Sequence, residues 1–308
     1  MSDITDSAKI RVGVEVCTSG LRAASIDQNG KITAQRAISF AAAGQTLLQL
    51  SELIGGLRKD FGDFEHIGVA VPGLVDRISG KVAFSAHFPE HSNVDLAKEI
   101  HDATGLSVSI ENDANAAAYA ESILGAGRGS RNFFYATLGE GVGGAFVFNG
   151  DIWRGAAGFA GEFGYVPINS EGMRLEEVAS TANIIRRTRS RFHQDSTSSL
   201  NKLAEEEITI SAIIAAAMEE DDFAKMMIER TGVYVGTAIA TVINLLNLEM
   251  IVVGGEIMEA KHLVLDAIIE RARELSFAPS FEATSIVEGE LGLYAAAVGV
   301  ALLAHQKR

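Results

Sequence analysis

The sequence predicts an α/β protein in which a mixed sheet, with helices on its faces, is built twice. Short apolar, β-branched runs alternate with segments of helical periodicity along the chain. Each half also opens with two such runs that are close enough to form a β-hairpin. The halves share no residue-level repeat that we detect, so the predicted duplication is one of architecture.

The first half is predicted to begin with strands joined by a tight turn at Gln28-Asn29-Gly30, a residue combination typical of hairpins. Helices and strands then alternate, as in βα units with a mixed sheet. The predicted elements are strands at 10–16, 23–27 and 31–39, a helix at 44–60, a strand at 67–71, a helix at 95–104 and a strand at 106–110.

The glycine-rich segment 125–131 interrupts this pattern and leads to a second start. A second hairpin is predicted, followed by a loop-rich stretch and a long helical region with a flexible connection at 193–201. The predicted elements are strands at 133–138 and 143–149, loops over 150–180, helices within 181–247, a strand at 250–253, a helix at 259–275, a strand at 284–288 and a last helix from about residue 292.

Composition narrows the classes of function. The 308 residues carry a formal net charge of −14, which argues against a general nucleic-acid surface and against a membrane surface. The single cysteine, Cys17, permits neither an intramolecular disulfide nor a cysteine-rich zinc site. No apolar run is long enough to span a bilayer. We therefore expect a soluble, cytoplasmic protein without nucleic-acid or membrane partners.

The stretch from Glu111 to Glu121 is the most informative part of the chain. It places Asp113 where a buried strand gives way to an alanine-rich helix. A carboxylate there can take a proton from a substrate hydroxyl. It can also act only as the helix N-cap, as can Asn112.

Glycine-rich turns follow three predicted strands, where glycine lets backbone N–H groups approach an anion closely. Each turn alone is weak evidence, because hairpin turns need glycine in any protein. These turns are Pro72-Gly73, Gly139 to Gly144 and Gly254-Gly255.

Together these motifs resemble the ROK family of sugar kinases and sugar-responsive repressors, and a glucokinase-like member in particular. The resemblance covers nearly the whole chain and is carried by residues 70–73, 111–118, 125–129, 137–144, 154–164, 175–180 and 251–255. It implies a two-lobed actin-like ATPase fold, of the ribonuclease H-like type, with a cleft between the lobes. The expected lobes are 1–118, completed by the C-terminal helix at about 293–308, and 119–292.

The resemblance also implies roles for individual residues. Asp113 matches the general base that accepts the sugar hydroxyl proton. Positions matching sugar contacts are Asn112, Glu162, Glu176, Tyr165, Gly73 and His87. Positions matching the nucleotide site are Glu15, Ser19, Gly139, Glu140, Gly141, Gly143, Gly254 and Gly255. ATP with Mg²⁺ would be the cofactors, a small sugar the ligand, and we also expect a homodimer.

Several positions depart from the family pattern. The first phosphate loop, Asp-x-Gly-Gly-Thr-Lys in family kinases, reads Glu15 to Gly20 here, so that two glycines and the lysine are lost. Glu140 stands where the family usually has threonine and would repel triphosphate. Tyr165 replaces the histidine of the family's zinc module, and no cysteine follows it, so we expect no structural zinc.

Two hypotheses remain open. In the first, the protein is an ATP-dependent kinase of a hexose or N-acylhexosamine with an unusual phosphate loop. In the second, it is a non-catalytic, regulatory sugar-binding ROK protein whose nucleotide site has degenerated. Retained Asp113 favours the first hypothesis, whereas Glu140 and the changed loop at 15–20 favour the second.

Overall fold

The computed structural model describes residues 10–40, 46–76, 81–85 and 92–305. The chain forms two compact units, each with its own hydrophobic core. The first unit comprises Met1–Arg128, Arg154–Phe159 and Tyr294–Arg308, and the second comprises Gly129–Trp153 and Ala160–Leu293. The short segment Arg154–Phe159 therefore belongs to the first unit although both of its neighbours in the chain belong to the second.

The first unit contains a mixed five-stranded sheet in the order β3-β2-β1-β4-β7. Strands β1, β2 and β3 are antiparallel, and β4 and β7 extend the sheet in parallel. The strands are β1 (Arg11–Val16), β2 (Gly20–Ile26), β3 (Ile32–Ser39), β4 (His66–Val71) and β7 (Ser107–Asn112).

Helices and a small ribbon complete the first unit. The helices are α1 (Thr46–Phe61), α2 (Leu96–Thr104), α3 (Asp113–Leu124) and α10 (Ala295–Leu303). Asp95 caps α2, and Gly105 ends it in the left-handed conformation at φ 71°. The ribbon, β5 (Leu74–Asp76) with β6 (Lys81–Phe84), was not predicted from the sequence, because runs this short carry little periodicity.

The second unit repeats the same strand arrangement in the order β10-β9-β8-β11-β12. Again three antiparallel strands are extended by two parallel ones. The strands are β8 (Phe133–Leu138), β9 (Val142–Phe148), β10 (Asp151–Trp153), β11 (Met250–Gly254) and β12 (Ser285–Glu288). The sequence analysis missed β10, which has only 3 residues.

The helices of the second unit are α4 (Glu176–Ala179), α5 (Thr181–Arg189), α6 (Ile210–Met218), α7 (Asp222–Leu246), α8 (His262–Leu275) and α9 (Ala278–Glu282). The segment 193–201, predicted to be a flexible connection, contains two short 3-10 turns. They are anchored by Asp221, whose carboxylate accepts hydrogen bonds from the Ser198 hydroxyl and from the Ser199 backbone N–H at 2.6 Å.

The matching strand orders confirm the predicted α/β class and its duplicated architecture. Both sheets begin with an antiparallel meander because tight turns connect their first three strands, and both add parallel strands through helical connections. Within the described residues, no helix has the length and apolar character that crossing a membrane requires.

The C-terminal helix α10 packs unusually closely against the first unit through glycine. A Cβ at Gly299 would lie 1.8 Å from the carbonyl oxygen of Ala116 in α3. On the opposite side, Cβ atoms at Gly13 of β1 and Gly68 of β4 would lie 2.0 and 2.1 Å from carbonyl oxygens of α10. These contacts leave no room for a side chain, so α3, α10 and the sheet are held at a fixed spacing.

We expect Gly299→Ala to lower the free energy of unfolding by about 1–3 kcal/mol, because the added methyl group forces α10 away from α3. Urea denaturation followed by circular dichroism measures the change. Gly55→Ala is the matched control: Gly55 lies inside α1 with nothing within 4 Å of its Cβ position. That variant should gain about 0.5–1 kcal/mol. Equal stabilities for the two variants would contradict the close-packing argument.

Candidate functional site

The junction between β7 and α3 is organised by the side chain of Asn112. Its Oδ1 accepts a hydrogen bond from the Asn115 N–H at 3.0 Å, so Asn112 is the N-cap of α3. Its Nδ2 donates to Asp113 Oδ1 at 2.9 Å. Asp113 is the first helical residue and also accepts from the Ala114 N–H at 2.9 Å. The capping role therefore falls to Asn112, and the half-buried Asp113 carboxylate is held in a defined orientation.

The same Asn112 amide reaches the turn after β4. Its Nδ2 donates to the Gly73 carbonyl at 3.1 Å. Gly73 has φ 131°, and a Cβ there would lie 2.5 Å from the Phe84 carbonyl oxygen, so the turn requires glycine. Three residues singled out from the sequence, Gly73, Asn112 and Asp113, are thus brought together. His87 lies outside the described residues.

A buried ion pair behind this junction was not anticipated from the sequence. Glu111, 4% exposed, accepts from Arg154 Nη2 at 2.6 Å. Its other oxygen accepts from the Asn112 N–H at 3.1 Å and from Asn115 Nδ2 at 3.2 Å. Glu111 therefore connects the segment that begins at Arg154 to the backbone and side chains that orient Asp113.

The β1–β2 turn contains the altered phosphate loop. The Cys17 N–H donates to the Gly20 carbonyl at 2.8 Å, and the exposed Ser19 lies at the tip of the turn. A Cβ at Gly20 would lie 2.0 Å from the Ile38 carbonyl oxygen of β3. A lysine at position 20, which the family pattern has, would collide with β3 in this structure.

The positive charge near this turn comes from Arg22 instead. Positions 20 and 22 share one face of β2. The Arg22 guanidinium lies 3.1 Å from Cys17 Sγ and 3.6 Å from Glu15 Oε2. The Arg22 side chain therefore extends from β2 towards the β1–β2 turn.

Glu15 and Asp113 belong to one electrostatic environment. Burial raises the pKa of Glu15 to about 7; the Arg22 guanidinium opposes this shift, and the negative charge of Asp113 adds to it. A carboxyl group with this pKa is partly neutral at physiological pH. The loop consequently carries less negative charge than its sequence suggests.

In the second unit, Glu162 and Glu176 lie close to each other. Glu176 Oε2 accepts from the Val142 N–H at 3.2 Å. Burial raises the pKa of Glu162, and the charge of Glu176 raises it further. The chain around Glu162 can pack closely against β9 only because residues 161 and 164 are glycines. A Cβ at Gly161 or Gly164 would lie 2.1 or 2.5 Å from carbonyl oxygens of β9. Two carboxylates, one anchored by a backbone N–H, can accept hydrogen bonds from hydroxyl groups.

Tyr165 follows this segment and is 51% exposed. The Arg174 guanidinium lies 4.5 Å from its ring centroid, a cation–π contact. Backbone hydrogen bonds from Leu175 to Val166 at 3.0 Å and from Ile168 to Met173 at 2.9 Å close the chain between them into a hairpin that leads to Glu176.

The glycine-rich turn after β8 lies beside the turn after β11. The Gly139 N–H donates to the Gly141 carbonyl at 3.0 Å, and Gly139 itself accepts from the Thr181 N–H at 2.8 Å. Gly255 has φ 96°, and a Cβ there would lie 2.4 Å from the Leu138 carbonyl oxygen. Glycine therefore lets the two turns meet.

The remaining positions predicted for the nucleotide site lie nearby. Glu140 is half-buried, and Gly143 and Gly254 both pair with Thr137.

No group of three or more His, Cys, Asp or Glu side chains suited to a metal ion occurs in the part of the chain that the structure describes. Mg²⁺ in nucleotide sites is usually held by one or two carboxylates together with phosphate oxygens. Glu15 and Asp113, both in the first unit, supply carboxyl groups of this kind.

Comparison with known proteins identifies the family. The ROK family profile matches residues 11–307. The chain belongs to the ROK family.

Its relatives include both enzymes and regulators. The chain is 33% identical over 267 residues to the glucokinase of Thermotoga maritima, covering 83% of this chain and 80% of the relative. A ROK glucokinase from Streptomyces griseus, crystallised with glucose and AMPPNP, matches with a TM-score of 0.89 at 26% identity, covering 97% of this chain and 100% of that one. A ROK transcriptional regulator homologous to the Escherichia coli MLC protein matches with a TM-score of 0.84 at 29% identity, covering 97% and 78%.

These matches confirm the ROK resemblance and the actin-like α/β fold, and they make the chain a sugar-kinase-like ROK protein. The structure also explains a departure from the ROK pattern. At Gly20, β3 lies too close for a side chain, so this backbone could not hold the family lysine without moving β3. Residues that the sequence analysis missed are Glu111, Arg154 and Arg22; Glu111 and Arg154 lie inside the quoted motifs, but their pairing has no local signal.

We expect Arg154→Met to lower the free energy of unfolding by about 3–5 kcal/mol, because it leaves Glu111 charged and buried without its partner. Thermal and urea denaturation measure the loss. Arg36→Met is the matched control, since the Arg36–Asp60 pair is 41% and 45% exposed and should contribute about 1 kcal/mol or less. The double variant Glu111→Gln/Arg154→Met should be more stable than Arg154→Met alone. A loss equal to that of the control would show that the pair is not buried in solution.

Stability should also depend on pH through Glu15. Folding raises the pKa of this group from 4.5 to about 7, so the folded state holds a proton that the unfolded chain releases. This contribution is complete at low pH and is lost as the pH rises through about 7, by up to about 3 kcal/mol. Glu15→Gln should remove this part of the decline between about pH 5 and pH 8. Glu52→Gln, on the exposed side of α1, should keep the wild-type profile. An unchanged profile for Glu15→Gln would contradict the assignment.

Proposed function

We propose that the protein is an ATP-dependent kinase that phosphorylates a hydroxyl group of a hexose or N-acylhexosamine, with Asp113 as the general base. The observation that carries this proposal is the arrangement of Asp113. Asn112 supplies the helix cap, so the Asp113 carboxylate is not needed for that purpose. Asn112 Nδ2 and the Ala114 N–H both bind Oδ1 and fix the orientation of the carboxylate. A fixed, half-buried carboxylate suits proton abstraction from a bound hydroxyl.

Sugar recognition is assigned to polar groups in both units. Asn112 and Gly73 lie beside Asp113 in the first unit, and Glu162 and Glu176 form the carboxylate pair of the second. Carboxylates accept hydrogen bonds from sugar hydroxyl groups, and an amide can both donate and accept. Tyr165 is assigned as a further hydroxyl contact, and its ring position is supported by Arg174.

Nucleotide binding is assigned to the β1–β2 turn and to the glycine turns of the second unit. MgATP supplies the phosphoryl group and neutralises its charge. Arg22 provides a cation where the family lysine is missing, and the raised pKa of Glu15 reduces repulsion of phosphate. Glu140 opposes nucleotide binding, because two unit charges about 4 Å apart repel by roughly 4 kcal/mol at an effective dielectric near 20.

Since the proposed reaction consumes ATP, we propose that the enzyme acts in the cytoplasm.

A second candidate function is non-catalytic sugar binding. The substitutions at 15–20 and Glu140 favour it, and the matched regulator shows that ROK structures of this shape are not confined to kinases. In this alternative the sugar contacts are kept and nucleotide binding is lost. The Glu15–Arg22 arrangement favours the kinase, because it preserves a cation and partly neutralises the carboxyl group at the altered loop.

We expect Asp113→Asn to keep sugar affinity and to lower turnover by about 10²–10⁴-fold, because the amide preserves shape but cannot accept the proton. ADP release with MgATP over a panel of glucose, mannose and their N-acetylamino derivatives measures turnover, and calorimetry measures sugar binding. Asp102→Asn, on the exposed end of α2, is the matched control and should retain wild-type activity.

The same measurements separate the two functions. Wild-type protein that binds a sugar but neither binds ATP nor releases ADP would replace the kinase proposal by the sugar-binding one. Wild-type turnover in Asp113→Asn would overturn the assignment of the base. Absence of sugar binding at millimolar concentrations would contradict both functions.

A further inference from the structure

Four arginines of the second unit lie near one another, and none of them is assigned above to the sugar or nucleotide site. Arg186, Arg187 and Arg191 come from the end of α5 and the residues after it, and Arg230 comes from α7. We call these four the arginine cluster. The whole chain has 26 Lys and Arg against 40 Asp and Glu, so a local concentration of positive charge is unexpected from its composition.

Arg187 forms the half-buried base of the cluster. Its Nη2 donates to the Val178 carbonyl at 3.0 Å and to Thr231 Oγ1 at 2.8 Å. Its Nε is buried and has no hydrogen-bond acceptor within the described structure. The side chain is therefore held rigidly by neutral groups, and its charge is not matched by a carboxylate there.

Tyr234 joins the two helices of the cluster. The guanidinium carbons of Arg187 and Arg230 lie 5.5 and 5.8 Å from the centroid of its ring. Arg230 Nε also donates to the Tyr234 hydroxyl at 2.9 Å. One aromatic ring thus orients two guanidinium groups from different helices.

The charges in the cluster repel one another. Burial lowers the pKa of Arg187 to about 10; Tyr234 opposes this shift, and the charges of Arg230, Arg191 and Arg186 add to it. None of the groups that act most strongly on Arg187 is a carboxylate. Among the ion pairs of the described residues, none includes a member of the cluster.

A purely structural explanation covers only part of this arrangement. Arginines in the last turn of a helix interact favourably with its terminal carbonyl groups, which accounts for Arg186 and Arg187 on α5. It does not account for Arg230, which lies within α7, far from either end. Bringing a fourth positive charge to this place raises the electrostatic cost, and a bound anion would remove that cost.

We propose that the arginine cluster binds the phosphate group of a small phosphate monoester, such as a sugar phosphate. Guanidinium groups match the geometry of phosphate oxygens and can donate two parallel hydrogen bonds to them. A phosphate dianion compensates several positive charges at once, which a single carboxylate cannot. Arg186, Arg191 and Arg230 are exposed, and Arg187 is half-buried. Arg186 already donates to Asn183 Oδ1 and Arg230 Nε to the Tyr234 hydroxyl, so the ligand would be bound by the remaining N–H groups of the cluster.

Calorimetric titration at low ionic strength tests this proposal, with inorganic phosphate, a hexose 6-phosphate and the unphosphorylated hexose as separate probes and no ATP present. The double variant Arg191→Gln/Arg230→Gln changes two exposed side chains and should remain folded. We expect it to bind the hexose phosphate about tenfold or more weakly than wild type. Arg273→Gln, an exposed arginine of α8 in the same unit, is the matched control and should bind as wild type does.

The probes separate the possible sources of the phosphate. Because the proposed kinase would also bind a hexose phosphate as its product, only the binding that the double variant loses is counted. If that part is tighter for the hexose phosphate than for inorganic phosphate, it supports a sugar phosphate ligand, and equal binding supports the phosphate group alone. Equal affinities of the double variant and wild type would overturn the proposal, as would the absence of phosphate binding by folded wild-type protein at millimolar concentrations. These readouts do not involve turnover, so their failure would leave the kinase proposal untouched.

Discussion

The close packing of α3 and α10 against the first sheet is the constraint on which the candidate catalytic residue depends. Gly299 brings α10 against the Ala116 carbonyl, and Gly13 and Gly68 bring the sheet against the other side of α10. Buried alanines along α3 keep this spacing short. Because backbone meets backbone, α3 has little freedom to shift or rotate. The position of Asp113, at the first turn of that helix, is therefore set by packing far from any ligand.

Hydrogen bonds and one ion pair then fix the orientation of the side chains at the junction between β7 and α3. Asn112 caps α3 and binds both Gly73 and Asp113, and Glu111 holds the Asn112 backbone from behind. Arg154 neutralises Glu111. A buried network of this kind is costly if one member is missing, because the remaining groups lose their partners in a low-dielectric interior. The segment Arg154–Phe159 is thereby anchored to the first unit by an ionic contact.

The altered phosphate loop carries less negative charge than its sequence suggests. Glu15 is partly neutral near pH 7 because it is buried close to Asp113, and Arg22 supplies a cation from the next strand. In this structure β3 lies too close to position 20 for a side chain, whereas the Arg22 side chain, two residues further along β2, contacts Cys17 in the turn. Elsewhere, on α5 and α7, positive charges lie close together, and no carboxylate is among the groups that act most strongly on Arg187.

The sequence by itself determined the α/β class, the duplicated order of strands and helices, the family and the junction at Asn112-Asp113, because these depend on local periodicity, capping and contiguous motifs. It missed β5, β6 and β10, which are too short to carry a periodic signal. Only the tertiary structure decided the Glu111–Arg154 pair, the exclusion of a side chain at Gly20 and the meeting of Arg187 with Arg230. Each of these joins residues far apart in the chain, and pairing at that separation is set by how the elements pack, which no local pattern records.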